Sequence, residues 1–486
     1  MIPQKDPKSK GRIEGAFMEK SEMRKLAEFI EKLSWDDLPE EVKTTVSFRV
    51  LDLISAALGA VDDPLVKKVK ASYLERNNGT GGKIWGSEGE TDISTAAYIN
   101  AMLAHTLELD DVHPASKTHG SASLIPAAWS CARYVHASGK EFLTAVVCGY
   151  ETVSRIGMAL GVTSHRKKGW HATATCGGFG CAAACGKLLG LNADELVSAL
   201  GMAGTQSFGR WAFLGDGSTC KVLHPARAVV NGLDAAFLAK AGMTGPEHIL
   251  EAEDGGLLAA MSDTGDIAKV SKGLGTDWEI LHMDMKPYPC CRSAHCAIDC
   301  SLKLRDSILE KIGKEYDHKT LEEERKRLTE AIREIEIKTY EVGYKQCAVS
   351  DGCLHPQNTM DAKFSIPFCT AAAFLFGKVT MSEFSDQTVE DPSMQCLIEK
   401  VTVMPDEAFS AVYPAHWGCS MKVILENGIV LETQVSDPSG GENYPLTKAQ
   451  ILKKAENLIE ICYPGKEKQI AEKLLDLAEA ERLPEL

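Results

Sequence analysis

The spacing of apolar residues changes twice along this chain, and this limits the folds open to it. Up to about residue 284 apolar residues recur at helical spacing, whereas Glu334-Ile-Glu-Ile-Lys-Thr-Tyr340 alternates every second residue, as a half-buried strand does. Helical spacing returns after Pro445. We therefore predict a mainly α fold. A large all-helical domain (20–284 plus 445–486) contains an inserted, smaller α+β domain (285–444), and residues 1–19 form a polar tail.

The helical part is expected to begin with two amphipathic helices between residues 21 and 60. Ser21 can cap the first helix and Pro39 can open the second. Alanine and glycine dominate several of the later helices, which allows the helices to approach closely. The apolar runs that predict these later helices lie at about 92–107, 121–138, 140–160, 176–190, 193–206 and 225–242.

The α+β part is predicted from strand and turn signals. A charged helix near 319–333 leads into the alternating segment, and Lys400-Val-Thr-Val-Met404 indicates a second strand. Met421 to Val435 contains an Asn427-Gly428 turn between alternating arms, which is typical of a β-hairpin. A helix is expected from Asp361 to Gly377, between these strands.

Composition excludes several classes of partner. The 486 residues include 53 Lys plus Arg and 68 Asp plus Glu, giving a net charge of −15. Such an acidic surface argues against nucleic acids and anionic membranes as partners. Charged residues interrupt every apolar run before it could span a bilayer, and the N-terminus lacks the apolar stretch of a signal peptide. We expect a cytoplasmic protein.

Sixteen cysteines raise the question of a metal centre. No Cys-x-x-Cys pair occurs, which weakens zinc and thioredoxin-like interpretations. Two Cys-x4-Cys-x3-Cys runs could supply three ligands to an iron–sulfur cluster: Cys176, Cys181, Cys185 and Cys291, Cys296, Cys300. The later members of each run lie at helical spacing among alanines, so we favour buried, reduced thiols and predict no metal.

One loop between two apolar helical runs concentrates ionisable side chains. Ionisable groups at the edge of a core are costly unless they are paired or used, and two imidazoles beside carboxylates suit proton transfer near neutral pH. The alternative is a polar loop that only caps a helix. The residues are Glu108, Asp110, Asp111, His113, Lys117 and His119.

The same loop, from Ala104-His105 to His119-Gly120-Ser121, resembles the "AH-LDFDD-…-HPS" signature of the MmgE/PrpD family. Four later segments resemble the family's motifs in the same order, so the five similarities extend over roughly residues 85–370. These segments are Gly169-Trp-His-Ala-Thr-Ala-Thr-Cys-Gly-Gly-Phe-Gly180, Asp216-Gly-Ser-Thr-Cys-Lys-Val-Leu-His-Pro-Ala-Arg-Ala228, Lys286-Pro-Tyr-Pro-Cys-Cys-Arg-Ser-Ala-His295 and Asp361-Ala-Lys-Phe-Ser-Ile-Pro-Phe368.

The resemblance implies a fold and a type of chemistry. In the family a helical domain, to which the C-terminal tail returns, has a smaller lid domain, and the site lies in the cleft between them. The resemblance also implies a homodimer. Family members act on small di- and tricarboxylates by dehydration, decarboxylation or epimerisation. These reactions share carbanion character beside a carboxylate, which a base and cationic donors can support without a cofactor.

Residues at matched positions receive roles from the resemblance. It implies general acid–base chemistry at His119 and a catalytic role for Lys286, near the hinge into the lid, and we add Glu108 as a third catalytic candidate. His171 and Lys221 match residues that would contact substrate carboxylates. His171 could instead only cap a helix, and Lys221 could lie on the surface.

Three further residues are candidates for substrate binding. Asp111 belongs to the matched loop, and His113 could be catalytic or only part of the pocket wall. Arg292 could hold a carboxylate through two parallel hydrogen bonds, which a lysine cannot do. The adjacent Cys290 and Cys291 are expected to pack at the cleft wall, with a nucleophilic thiol as the less favoured alternative.

Departures from the family pattern affect the choice of substrate. Glu108 is one methylene longer than the usual aspartate, and Val112 stands where some members have threonine. Cys291 stands where the decarboxylases that make itaconate have a histidine. The fold assignment is independent of these changes, whereas transfer of a particular substrate specificity is not.

We therefore predict a cofactor-free lyase of a small polycarboxylate, similar to 2-methylcitrate dehydratase. The alternatives are an epimerase or racemase with His119 and Lys286 as opposed bases, a cis-aconitate-type decarboxylase and a non-enzymatic carboxylate-binding protein. Lys221 and Lys286 are expected to lower the pKa of His119 by like-charge repulsion. Lys286 and His119 must also both reach one small substrate.

Overall fold

A computed structural model describes residues 20–77, 79–215, 218–312 and 320–486. The predicted polar tail, residues 1–19, lies outside the described residues. The described chain is mainly α-helical with one four-stranded sheet, which confirms the predicted fold class.

Eleven helices precede residue 284 in the described chain. Side-chain caps fix several of their starts: Ser21 accepts a hydrogen bond from the Arg24 amide, and Asp92 accepts one from the Thr95 amide. The helices are α1 Glu22–Lys32, α2 Glu40–Gly59, α3 Pro64–Arg76, α4 Ile93–Thr106, α5 Ser121–Tyr134, α6 Gly139–Ala159, α7 Val162–Lys167, α8 Ala172–Leu188, α9 Ala193–Thr205, α10 Leu223–Lys240 and α11 Leu257–Met261.

Glycines allow the central helices α6, α8 and α10 to pack closely. A Cβ on Gly180 would lie 3.0 Å from the Gly149 carbonyl oxygen, and one on Gly232 would lie 2.3 Å from the Cys181 Cβ. Larger residues at these positions would force the helices apart. The close approach expected from the small residues is thus present.

The C-terminal helices α21 Lys448–Cys462 and α22 Glu467–Leu475 pack against α2. Their apolar residues share one hydrophobic core, here called the first core, which runs from Met23 to Met283 and from Ala455 to Leu486. No single described helix is long and apolar enough to cross a bilayer; α2 and α3 pass on length and composition only as a pair, and that pair is bent by 90°.

A second core, from Cys290 to Val435, surrounds the sheet. The strand order is β2-β1-β3-β4, with β1 parallel to β2 and the other pairs antiparallel. The strands are β1 Ile332–Thr339, β2 Val401–Pro405, β3 Cys419–Leu425 and β4 Val430–Val435. The helices are α12 His295–Lys311, α13 Leu321–Ala331, α14 Glu341–Cys347, α15 Asp351–Leu354, α16 Thr359–Lys363, α17 Ile366–Phe376, α18 Asp386–Val389, α19 Pro392–Ile398 and α20 Glu407–Val412.

The strand predictions agree with this sheet, and one helix prediction needs correction. The hairpin turns at Asn427-Gly428, where Gly428 has φ +84°. The single helix expected from Asp361 to Gly377 is two helices, α16 and α17. The break occurs because the Ser365 side chain caps a new helix at the Phe368 amide and Pro367 occupies its first turn.

The chain passes from the first core to the second through a segment that is pinned on both sides. Val112 and Asp284 exchange backbone hydrogen bonds of 3.0 and 2.8 Å, and the Met285 amide donates to the Gly440 carbonyl at 2.8 Å. These bonds fix the backbone immediately before Lys286. The loop that contains Glu108 and the segment that contains Lys286 are therefore held against each other.

Gly440 is required at this junction. It has φ +88°, and a Cβ there would lie 1.9 Å from the Met285 carbonyl oxygen. We predict that Gly440→Ala lowers the free energy of unfolding by about 3 kcal/mol, because left-handed strain and overpacking add. Gly428→Ala is the matched control: its φ is similar but nothing lies within 4 Å of its Cβ, so about 1 kcal/mol is expected. Equal losses in denaturant unfolding would contradict this account.

Candidate active site

The polar loop between α4 and α5 meets the crossover segment at a partly enclosed cavity. Glu108 takes a left-handed backbone conformation, with φ +57°, which directs its side chain into the interior. Lys221 enters from the short 3-10 turn Thr219–Val222 that precedes α10. The cavity is lined by eight ionisable residues: Glu108, Lys117, His119, His171, Lys221, Lys286, Cys291 and Arg292.

Glu108 pairs with two lysines at once. Its Oε1 accepts from Lys221 Nζ, and its Oε2 lies 3.3 Å from Lys286 Nζ. Burial alone would raise the pKa of Glu108, but the two ammonium groups hold it far below its ordinary value. Burial likewise opposes the charge of Lys286, yet Glu108 and Asp110 raise the pKa of that lysine. Both groups are therefore charged at neutral pH.

The Asp110 carboxylate and the Asp111 carbonyl orient His119, and the carbonyl defines its tautomer. The Asp110 Oδ2 lies 2.7 Å from His105 Nδ1 and 3.2 Å from His119 Nδ1. His119 Nδ1 is also 2.8 Å from the Asp111 carbonyl oxygen. Because a carbonyl only accepts, Nδ1 bears the proton. His119 Nε2, which makes no hydrogen bond to the described residues, is then the basic nitrogen.

The pKa of His119 is lowered, as predicted, although burial is the largest cause. Lys286 and Lys221 lower it further, whereas Asp110 raises it. The imidazole is consequently neutral at pH 7 and able to accept a proton. Lys286 contacts the same carboxylate, with Nζ 3.7 Å from Asp110 Oδ1. His119 and Lys286 thus lie within reach of one small molecule.

His171 is at the cavity wall, at the N-cap of α8. Its Nδ1 is 2.7 Å from His224 Nδ1, so one ring donates to the other. Burial, with His224 and Lys221 nearby, holds the pKa of His171 well below its ordinary value. Its Nε2 is buried and has no partner among the described residues. That nitrogen is free to contact a substrate.

Asp111, His113 and Arg292 were predicted to bind substrate, but each makes other contacts. Asp111 accepts from the Ser121 and Tyr150 hydroxyls and so holds the loop to α5 and α6. His113 lies between Ser116 and Glu279, and it borders a separate groove rather than this cavity.

Arg292 borders the cavity, but its guanidinium is fully used. It donates to Asp284, to His295 and to the carbonyls of Pro438 and Ser439. Every nitrogen is engaged, which leaves no free N–H for the carboxylate clamp suggested by the sequence. The contacts instead give Arg292 the task of fixing the crossover.

Sequence reasoning overlooked Asp110 and His105 as a unit. Their spacing was the available signal: His105 ends a helix and Asp110 follows five residues later, so a tight turn brings them together. Cys291 lines the cavity, as expected for a residue of the cleft wall, whereas Lys117 also lines it and was not proposed as a site residue. Their placement depends on the second core, which no local pattern defines.

No metal was predicted from the sequence, and one cluster of histidine and aspartate side chains bears on that prediction. Among the described residues, ligand atoms of His105, Asp110 and His119 all lie within 4.8 Å of one another. Asp110 already hydrogen-bonds to His105 and lies 3.2 Å from His119 Nδ1, and the Lys286 ammonium beside Asp110 opposes a cation. Among the same described residues, neither cysteine run brings three sulfur atoms close enough together to hold one metal ion. The cysteines of both runs are buried.

Two family models match most of the chain. The model of the MmgE/PrpD N-terminal domain matches residues 24–269, and the model of the C-terminal domain matches residues 288–478. The chain belongs to the MmgE/PrpD family. The second match continues past the sheet into α21 and α22, which pack on the first core.

Curated relatives are similar over most of their length. A cis-aconitate decarboxylase-like protein of Aspergillus oryzae is 26% identical over 451 residues, 89% of each chain. The human cis-aconitate decarboxylase is 25% identical over 456 residues, 90% of this chain and 88% of the relative. The 2-methylcitrate dehydratase of Salmonella typhi is 22% identical over 384 residues, 76% of this chain and 74% of the relative.

We predict that Asp110→Asn lowers the pKa of His119 still further, because the carboxylate is the main group that raises it. The measurement is an NMR titration of the His119 imidazole. Glu279→Gln is the matched control, since Glu279 pairs with His113 at 3.2 Å outside the cavity. An unchanged or higher His119 pKa in Asp110→Asn would contradict the orientation assigned here.

Proposed function

We propose that this chain is a lyase that dehydrates a small tricarboxylate, in the manner of a 2-methylcitrate dehydratase, with its own side chains as acid and base. One observation supports this most directly: a neutral His119 and a protonated Lys286 border one cavity and contact the same carboxylate, Asp110. Elimination of water needs both a base and an acid. A binding protein would need neither.

In the proposed reaction His119 Nε2 accepts the proton from the carbon beside a substrate carboxylate. The electron pair of that C–H bond forms the C=C bond, and the C–O bond to the hydroxyl breaks. Lys286 gives a proton to the departing oxygen, which leaves as water. Proton exchange with solvent then returns His119 to the neutral form and Lys286 to the ammonium form.

Lys221 and His171 are assigned to the carboxylate next to the reacting carbon. Charge moves onto that carboxylate as the proton leaves, and hydrogen-bond donors in a buried cavity stabilise it strongly. Glu108 is a weak base because its pKa is held so low. Its proposed role is therefore to keep Lys221 and Lys286 charged and in place.

Decarboxylation is the second candidate. Relatives in Aspergillus oryzae, Aspergillus terreus and human that align over 86% or more of their length are named as cis-aconitate decarboxylases or, in the first case, as decarboxylase-like. Loss of CO2 needs a proton donor for the resulting carbanion, and Lys286 can supply it. Epimerisation is less well supported, since its second base would have to be a neutral Lys286, whose pKa is raised.

The expected homodimer and the cytoplasmic location belong to this proposal as well. Sedimentation of the purified protein tests the first, and fractionation of the source cells tests the second.

Substrate trials distinguish the two lyase reactions. Purified protein is incubated separately with 2-methylcitrate and with cis-aconitate in D2O. Ultraviolet absorbance of a new conjugated acid from 2-methylcitrate is the expected result. Release of CO2 from cis-aconitate would favour decarboxylation, and deuterium exchange without either would favour epimerisation. No reaction with any di- or tricarboxylate would contradict the lyase assignment.

Single substitutions test the roles of His119 and Lys286. His119→Asn and Lys286→Met are each expected to lower kcat about 100-fold, as loss of an acid–base group does. Thermal unfolding checks that both variants fold. His165→Asn is the matched control, because His165 is buried but does not border the cavity. Wild-type turnover in either variant would remove that residue from the mechanism.

A further inference from the structure

Lys117 reaches the cavity from a tight turn of the polar loop. His113 and Thr118 are joined by a backbone hydrogen bond of 2.9 Å, and Lys117 between them has φ +56°. Its ammonium lies 4.7 Å from the ring centre of Tyr413 and 5.4 Å from that of Trp417. The lysine therefore extends from the first core to an aromatic wall supplied by the second core.

Lys117 has no carboxylate partner in the described part of the chain. No carboxylate there lies within ion-pair distance of its ammonium. Arg166 is similar: its guanidinium stacks 4.5 Å from the Trp211 ring centre, and its Nε is buried without a partner. Trp211 lines the same cavity. Lys117 and Arg166 thus lie at this end beside aromatic rings and the sulfurs of Cys291 and Cys347, with no carboxylate paired to Lys117.

The other end of the cavity is electrically balanced. There Glu108 and Asp110 oppose the charges of Lys221 and Lys286. A partly buried cation without an anion costs free energy, and an anionic ligand removes that cost. The cavity therefore has a balanced end, which contains His119, and a cationic end at Lys117.

The pKa of Lys117 reflects its burial and the charged and titratable groups that face it. Burial is the largest cause that lowers the pKa of Lys117, to about 7, and Arg166 lowers it further. Cys291 and Cys347 oppose this shift without cancelling it. The pKa of Cys291 is itself lowered to about 6, chiefly by its hydrogen bond with Cys347, so its sulfur offsets part of the positive charge of Lys117 and Arg166. A bound anion would raise the pKa of Lys117 and favour its charged form.

We propose that Lys117, with Arg166 beside it, binds a substrate carboxylate remote from the reacting carbon and so selects tricarboxylates over shorter dicarboxylates. This inference rests on the proposed lyase function, because it assigns the reacting end of the substrate to His119 and Lys286. Lys117 is a specificity-determining residue in this account. The alternative is that Lys117 only packs on Tyr413 and Trp417.

Binding of two saturated acids, which cannot undergo elimination, separates these alternatives. Tricarballylate has the third carboxylate and succinate lacks it. Titration calorimetry on Lys117→Gln is expected to show about 10-fold or greater loss of tricarballylate affinity, and less than about 2-fold loss for succinate. Lys117→Arg should keep tricarballylate affinity within about 3-fold, because the charge remains. Lys448→Gln is the matched control, because Lys448 lies 5.8 Å from the Phe48 ring centre and is not among the residues that line the cavity.

The pH dependence of tricarballylate affinity distinguishes carboxylate binding by Lys117 from a role in packing alone. Because the charged form of Lys117 binds the anion, wild-type affinity for tricarballylate should fall relative to that of Lys117→Arg as pH rises from about 6 to 8. Parallel pH curves would overturn the proposal. So would equal loss for both acids in Lys117→Gln, no loss for either, or no tricarballylate binding by the wild-type protein.

These measurements also separate this proposal from the lyase assignment, since they need no turnover. Binding that depends on Lys117 in a protein without lyase activity would contradict only the proposed reaction. Lyase activity on a tricarboxylate with unchanged KM in Lys117→Gln would contradict only the carboxylate site.

Discussion

The shared ion pairs of Glu108 hold the candidate site together. One carboxylate on the loop after α4 binds Lys221, from the turn before α10, and Lys286, from the crossover between the two cores. All three side chains are buried, so each charge would be costly without the others. The unusual backbone at Glu108 is explained by this requirement, because a residue with φ +57° must be stabilised by the structure around it.

These pairs also explain how one cavity can contain a protonated acid beside a neutral base. Lys286 stays protonated because two carboxylates surround it, whereas His119 stays neutral because burial and the same lysine oppose its charge. Asp110 touches both groups and restrains the shift of His119. The separation of their protonation states therefore follows from where the carboxylates lie, without any special property of either side chain.

Much of the fold was predictable, and less of the site. Periodicity located the helices and the sheet because burial of one face imposes it directly on the sequence. The break between α16 and α17 was missed, since a serine cap inside an apolar run is a weak signal. Within the site, the motif positions of Glu108, Lys221 and Lys286 identified residues that do meet. Asp111 and Arg292 sit in equally polar motifs, yet their hydrogen bonds go to the scaffold. A local sequence cannot reveal this, because the partners Tyr150 and Ser439 are distant in the chain.

The charge of the whole protein and the charge of the cavity have opposite consequences for an anionic substrate. At −15 the surface repels polycarboxylates, so attraction must be local and short in range. The end of the cavity with Glu108 and Asp110 offers donors but little net charge, since its lysines are already paired. The end with Lys117 and Arg166 offers charge without a paired carboxylate. In the proposed binding mode, a substrate with carboxylates at both ends is the ligand that these two halves of the cavity complement together, and its remote carboxylate gains the larger Coulombic attraction. That division leaves the groups around His119 free to respond to the charge that develops during the reaction.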